Sequence, residues 1–267
     1  MSEKRWWAVT PVLLLTLVVA CGGSSDREGG ATSESAPTPA TSTASTTAAA
    51  STGASGTSSI SGTIRFEGAS PKLRPIRMDA DPVCAKKHTD DVLPEYFVLG
   101  EDNSLAHVLV YVTGGLADGS YAVPSEAVVL DQTGCRYSPH VVSLQTGQSF
   151  KILNSDGLLH NVHGLPKINT AFNRAMPAAV TEVNFVFNNE EVFKVKCDVH
   201  PWMGAWVGVF DHPFHGVTGI DGSFSLEGLP VGTYDIEALH ERLGTLTAQV
   251  TVTDGESATH DFVFVKE

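Results

Sequence analysis

Downstream of residue 60 the apolar residues fall in short runs or alternate with polar ones, as in Val183-Asn184-Phe185-Val186-Phe187. Alternation with period two places successive side chains on opposite faces of a strand. The pattern predicts strands over 60–66, 106–112, 127–130, 141–144, 149–153, 180–187, 192–195 and 206–210, separated by Gly, Pro, Asn and Asp. One short helix is expected after Asp81-Pro82, where the aspartate can cap and the proline suits the first turn. No long stretch carries the 3.6-residue period of an amphipathic helix. The chain therefore reads as all-β, folded into one or two sandwiches.

The first 59 residues read differently. Lys4 and Arg5 precede an apolar run from Trp6 to Ala20, which is too short for a comfortable membrane span. This is the pattern of a signal peptide over residues 1–20. Val18-Val19-Ala20-Cys21-Gly22 resembles a bacterial lipobox, which implies that Cys21 becomes the lipidated first residue of the mature protein. An ordinary secretory signal with an incidental cysteine is the alternative. Residues 21–59 are dominated by Ser, Thr, Ala and Gly and cannot bury a core, so they read as a disordered tether. Such a chain has an r.m.s. reach of about 30–40 Å. The protein is expected to be exported and lipid-anchored to a membrane, on the periplasmic side or at the cell surface.

The formal charge is −13, from 17 basic and 30 acidic residues. Cleavage would remove Glu3, Lys4 and Arg5, leaving 15 against 29, or −14. That balance speaks against nucleic acid, which selects basic patches.

Cys197-x-x-His200-x-x-Met203 sets thiolate, imidazole and thioether donors on one short loop, a donor set that copper prefers. Alone, it equally describes a buried thiol beside a surface histidine and a core methionine. Upstream, the strand expected at 149–153 runs into a polar turn and then His160-Asn161-Val162. Together the two motifs resemble the cupredoxins over residues 125–210, with a ligand loop spaced like that of the amicyanins. The resemblance implies a Greek-key sandwich and one mononuclear type 1 copper site. His160, Cys197 and His200 would form its trigonal set, with Met203 as a long axial ligand. Met203 rests on loop spacing alone, because a methionine beside Trp202 can equally pack inward. Asn161 would brace the ligand loop. His163 is three residues from His160 and so faces the other side of an extended strand. The resemblance also implies a redox protein as partner, a c-type cytochrome being one example. His212, His215 and His240 read as a solvated loop rather than a second metal site. With Cys21 given to lipid and Cys197 to metal, Cys84 and Cys135 remain, and they would most simply pair as a disulfide in an oxidising compartment. Two buried free thiols are the alternative.

The last third carries turn signals of its own. TGIDGSFSL at 218–226 and LPVGTYDI at 229–236 read as strands joined by Asp-Gly and Pro-Gly turns. They resemble the transthyretin-like, carboxypeptidase regulatory-like β-sandwich modules. The expected division is a copper domain at 60–211 and this sandwich at 212–267. The earlier strands such a module requires are missing nearby. Residues 61–65 are the candidate, which would make the two units share an edge. No catalytic carboxylate pair, triad or phosphate loop is evident, and a saturated ligand set leaves no open position, so the chain reads as no enzyme. The function expected is transfer of single electrons. A copper-delivery lipoprotein and a surface-binding module with a structural cupredoxin unit are the alternatives.

Overall fold

The computed structural model describes residues 56–266. The expected signal peptide, the expected lipidation at Cys21 and most of the expected tether lie outside the described residues. The chain forms β1 (Ser58–Gly68), the one-turn helix α1 (Pro82–Ala85), β2 (Leu109–Gly114), β3 (Val128–Thr133), β4 (Arg136–Ser138), β5 (Val141–Gln145) and β6 (Ser149–Asn154). It continues with β7 (His160–Gly164), β8 (Phe172–Met176), β9 (Glu182–Val186), β10 (Glu191–Lys196) and β11 (Gly204–Phe210). The last strands are β12 (His215–Val217), β13 (Ser223–Leu229), β14 (Gly232–His240), β15 (Gly244–Val252), β16 (Ser257–Thr259) and β17 (Phe262–Lys266). The fold is all-β. No described helix is long and apolar enough to cross a membrane.

Two sandwiches account for these strands. The first packs a sheet of order β4-β3-β6-β9 against one of order β5-β11-β10-β7-β8. Alternation drives the packing: in β6, Phe150, Ile152 and Asn154 point inward while Ser149, Lys151 and Leu153 are less buried. They meet Leu130, Val195 and Val207 in one core. At about 25 cal/mol per Å² of apolar surface, such burial supplies most of the drive to form the sandwich.

The second sandwich departs from the expected division at 211/212. In one of its sheets β1 lies between antiparallel β13 and parallel β16 and β17. In the other, the order is β12-β2-β14-β15. Strands from before residue 115 thus complete a sandwich whose remaining strands follow residue 214, and the first sandwich is inserted between them. The physical reason is burial. Ile60, Ile64 and Phe66 on β1 and Val110 on β2 enter one core with Leu226, Ile236 and Phe264, which the C-terminal strands could not close alone. Gly222, in the Asp-Gly turn, has φ +70°, and a Cβ there would sit 2.4 Å from the Ile64 carbonyl oxygen. The turn therefore packs directly on β1 and requires glycine.

At the junction, Leu109 of β2 is buried against Val141 and Phe210 of the first sandwich. The His140 ring and the Glu241 carboxylate hydrogen-bond across it. His212 and His240 are also buried here, which corrects the solvated-loop expectation. The His212 ring lies beside those of Phe210 and Phe214, and its Nε2–H donates to the Val112 carbonyl at 2.9 Å. A histidine satisfied by backbone and flanked by phenylalanines is packing, not metal ligation.

Between β1 and β2, residues 69–108 make a long connection: Phe97, Leu105 and Val108 stay in the second core, while an earlier part lies over the first sandwich. Met78 and Cys84 form a small apolar cluster there with Cys135, flanked by Ile76, Leu158 and Trp202. α1 starts as its sequence predicts: the Asp81 carboxylate accepts from the Val83 and Cys84 amides. This segment decides what surrounds the candidate site.

The topology makes a direct prediction. A fragment of residues 212–267 should lack the dispersed amide NMR spectrum of a folded sandwich. Cooperative folding of that fragment on its own would contradict the shared core.

Candidate metal centre

The site is built from two hairpin-like features and one loop. β3 and β4 are joined through Gly134 and Cys135, at φ +60° and +52°, the paired positive φ values of a type I′ turn. That turn aims both amides at one carboxylate: Asp156 accepts from Gly134 N at 2.8 Å and from Cys135 N at 2.7 Å. Asp156 follows β6, and its second task is to hold the histidine four residues on. His160 Nε2 lies 2.9 Å from Asp156 Oδ2, with both side chains almost wholly buried. A carboxylate at that position only accepts, so Nε2 carries the hydrogen and Nδ1 is turned toward the site.

Cys197, His200 and Met203 occupy the loop between β10 and β11. The loop is closed by Cys197 N donating to Met203 O at 3.2 Å and Met203 N to His200 O at 2.9 Å. Asn161 braces it from β7, accepting from the Asp198 amide and donating to Asn173 Oδ1 at 2.6 Å. The Tyr137 hydroxyl spans the same gap, donating to the Asn161 carbonyl at 2.6 Å. Asn161 N and His200 N approach the Cys197 sulfur at 3.5 and 3.4 Å. The alternation of β7 buries His160 and leaves His163 partly exposed, paired with Asp198 at 2.8 Å.

His160, Cys197 and His200 converge, with one donor atom of each within 4.8 Å of the others. The two Nδ1 atoms are 2.9 Å apart, and His200 Nδ1 is 3.9 Å from Cys197 Sγ. All three residues are buried. Met203 is buried in the same apolar cluster as Cys197. His200 Nε2 donates to a second carboxylate, Asp81, at 3.1 Å. Both imidazoles thus have Nε2 tied to an acid and Nδ1 turned to a shared space beside a thiol. Two imidazole nitrogens and a thiolate, with a thioether on the same loop, suit copper.

Electrostatics agree with that use. Burial pushes the Cys197 thiol up, but hydrogen bonding with His160 and from the Asn161 and His200 amides outweighs it and holds the thiol below its ordinary value. Burial likewise disfavours an imidazolium at His160, yet Asp156 and Cys197 push its pKa up to about 9.

No protein-family model matches the chain, and no curated protein does. Solved structures similar to part of it include the copper-containing nitrite reductase of Thermus scotoductus. That pair has 16% identity and a TM-score of 0.30, over 37% of this chain and 26% of the reductase. An oxidised amicyanin variant is 22% identical over 31% of this chain and 81% of its own length, with a TM-score of 0.29. A purple cupredoxin from Nitrosopumilus maritimus is 22% identical over 30% of this chain and 97% of its own, with a TM-score of 0.26. The chain spans about a quarter of the reductase's length. An enzyme stands among these structures, so the expectation that the chain is no enzyme is withdrawn. A ligand set without an open position describes one site and does not exclude catalysis by the chain.

Two residues of this site escaped sequence reasoning. Asp156 lies in the polar turn before His160, and Asp81 is 119 residues from His200. The signal for Asp156 was its spacing of four from His160; Asp81 had only its role as a helix cap. Cys84 and Cys135 are joined in a disulfide, which pins α1 onto the β3–β4 turn. Trp202 adds to the cover, with its indole N–H on the Cys135 carbonyl at 3.0 Å and its ring centroid 5.1 Å from that of His200.

A Cys84→Ser/Cys135→Ser double variant should lose about 2–5 kcal/mol of stability. Denaturant melts would measure this, and an unchanged midpoint would mean that the bond does not hold the cover in place.

Proposed function

We propose that this is an exported, membrane-tethered type 1 copper protein that passes single electrons between redox partners. The reading is carried by one observation: His160 and His200 direct Nδ1 into the same buried space as the Cys197 sulfur. Copper bound there would supply a one-electron couple. The chain's own residues do the rest. Cys197 is held by backbone amides, which favour thiolate and fix the sulfur's direction. Two carboxylates fix the imidazole tautomers, and Asn161 and Tyr137 lock the loop against β7. A donor set held rigidly by a sandwich changes little between oxidation states, so little reorganisation opposes transfer. Burial of His160, Cys197, His200 and Met203 to 2% exposure or less excludes water. A depression of about 300 Å³ beside Cys197 and Met203, lined by Lys194, Lys196 and Trp202, supports approach of a partner protein, such as a cytochrome, to the ligand loop.

The lipobox-like sequence supports anchoring through Cys21. A Cys21→Ser variant should shift the protein from the membrane to the soluble fraction. Retention in the membrane would remove the anchor from the proposal.

The central test is addition of Cu(II) to the metal-free protein. One equivalent should produce intense blue absorption, a narrow copper hyperfine pattern by EPR and a reversible one-electron potential. Cys197→Ser should remain colourless. Uptake without colour would favour delivery, and no uptake a structural role; either result would remove the electron-transfer reading.

A further inference from the structure

The segment that covers the site does more than shield it. Three of its side chains, within the seven residues from Asp81 to Lys87 that contain α1, act on or beside the candidate ligands. The Asp81 carboxylate receives His200 Nε2–H at 3.1 Å while also capping α1. Lys87 Nζ lies 3.0 Å from Asp156 Oδ1, on the carboxylate whose other oxygen holds His160. Cys84 sits between them, and the disulfide to Cys135 ties this turn to the amides that grip Asp156. His200 is 2% exposed as a result, although it lies on a loop at the end of the first sandwich. The carboxylate on each histidine is therefore in a different electrostatic state. Asp81 is one-third exposed, and among the described residues no lysine or arginine lies within salt-bridge distance of it. Asp156 is buried and shares its charge with Lys87 and two backbone amides.

We propose that the segment carrying α1 tunes the metal's redox preference through two positioning residues, Asp81 acting on His200 and Lys87 acting on His160 by way of Asp156. The inference rests on the copper reading above. Its physical basis is that a carboxylate on the far nitrogen makes an imidazole a stronger donor. A stronger donor stabilises Cu(II) over Cu(I) and lowers the potential. Asp81 does this directly. Lys87 opposes it, because a cation on Asp156 draws off part of the charge that would polarise His160. The two residues thus pull the potential in opposite directions from one short segment, which belongs by chain continuity to the second sandwich.

The test uses the full chain and three single variants, Asp81→Asn, Lys87→Met and Lys87→Arg. Asparagine still caps a helix, so α1 should persist. Asp81→Asn should weaken Cu(II) binding by about 10–100-fold, the usual cost of losing such a partner. If Cu(I) affinity holds, each tenfold corresponds to a rise of about 59 mV for a one-electron couple. Lys87→Met should move the potential down, and Lys87→Arg should restore it. Near-UV CD checks that each variant keeps its packing. A shift of the same sign for Asp81→Asn and Lys87→Met, or none in either, overturns the inference while leaving the copper reading intact. Failure of the wild type to take up copper overturns both.

Discussion

A carboxylate can be buried as an anion only where donors surround it, and Asp156 meets that requirement with the Gly134 and Cys135 amides, Lys87 and His160. The four donors come from three different features. The two amides need the left-handed turn between β3 and β4, the lysine needs α1 docked on the first sandwich, and the histidine needs β7 to begin where it does. Losing any one would leave a charge buried without full compensation, a cost of several kcal/mol. The candidate ligand His160 is therefore held by the same constraint that fixes the β3–β4 turn and the cover. Asp81 repeats the device at His200 with less burial.

Much of this was legible in the chain, because strands declare themselves by alternation and turns by Gly, Asp and Pro. The strands around 149–153, 192–195 and 206–210 appear at β6, β10 and β11 with ends shifted by a residue or two. β8 was missed. Its sequence, Phe172-Asn173-Arg174-Ala175-Met176, buries only the final methionine, so period two never shows. The convergence of His160, Cys197 and His200 is what the resemblance carried by the two short motifs implies. The partnership of His200 with Asp81 did not, since it depends on where a 40-residue excursion comes to rest, and no periodicity encodes that. The same holds for His212, whose polar Asp-His-Pro-Phe-His context reads as surface until the junction closes over it. The role of β1 is half visible in the sequence: residues 61–65 offer the strand the C-terminal module lacks, but hydrogen bonding to β13, β16 and β17 is a property of the assembled sheet.

The insertion gives the molecule its division of labour. The first sandwich holds the candidate ligands, and the second contributes the chain that covers them. β2 and β12, at entry to and exit from the insertion, are antiparallel neighbours, with His215 opposite Tyr111. The inserted unit thus departs from and returns to one place.

That arrangement has a mechanical side. β1 is the first strand of the described chain, and it is flanked by β13 over Ser58–Thr63 on one side and by β16 and then β17 on the other. Tension entering through the residues before Ser58 would be applied along that strand, loading many sheet hydrogen bonds together in shear rather than peeling them one at a time. The force would be borne by the second sandwich, and the loop from Cys197 to Met203 would lie off the load path. A protein tugged at one end would in this way keep the placement of His160, Cys197 and His200 unstrained.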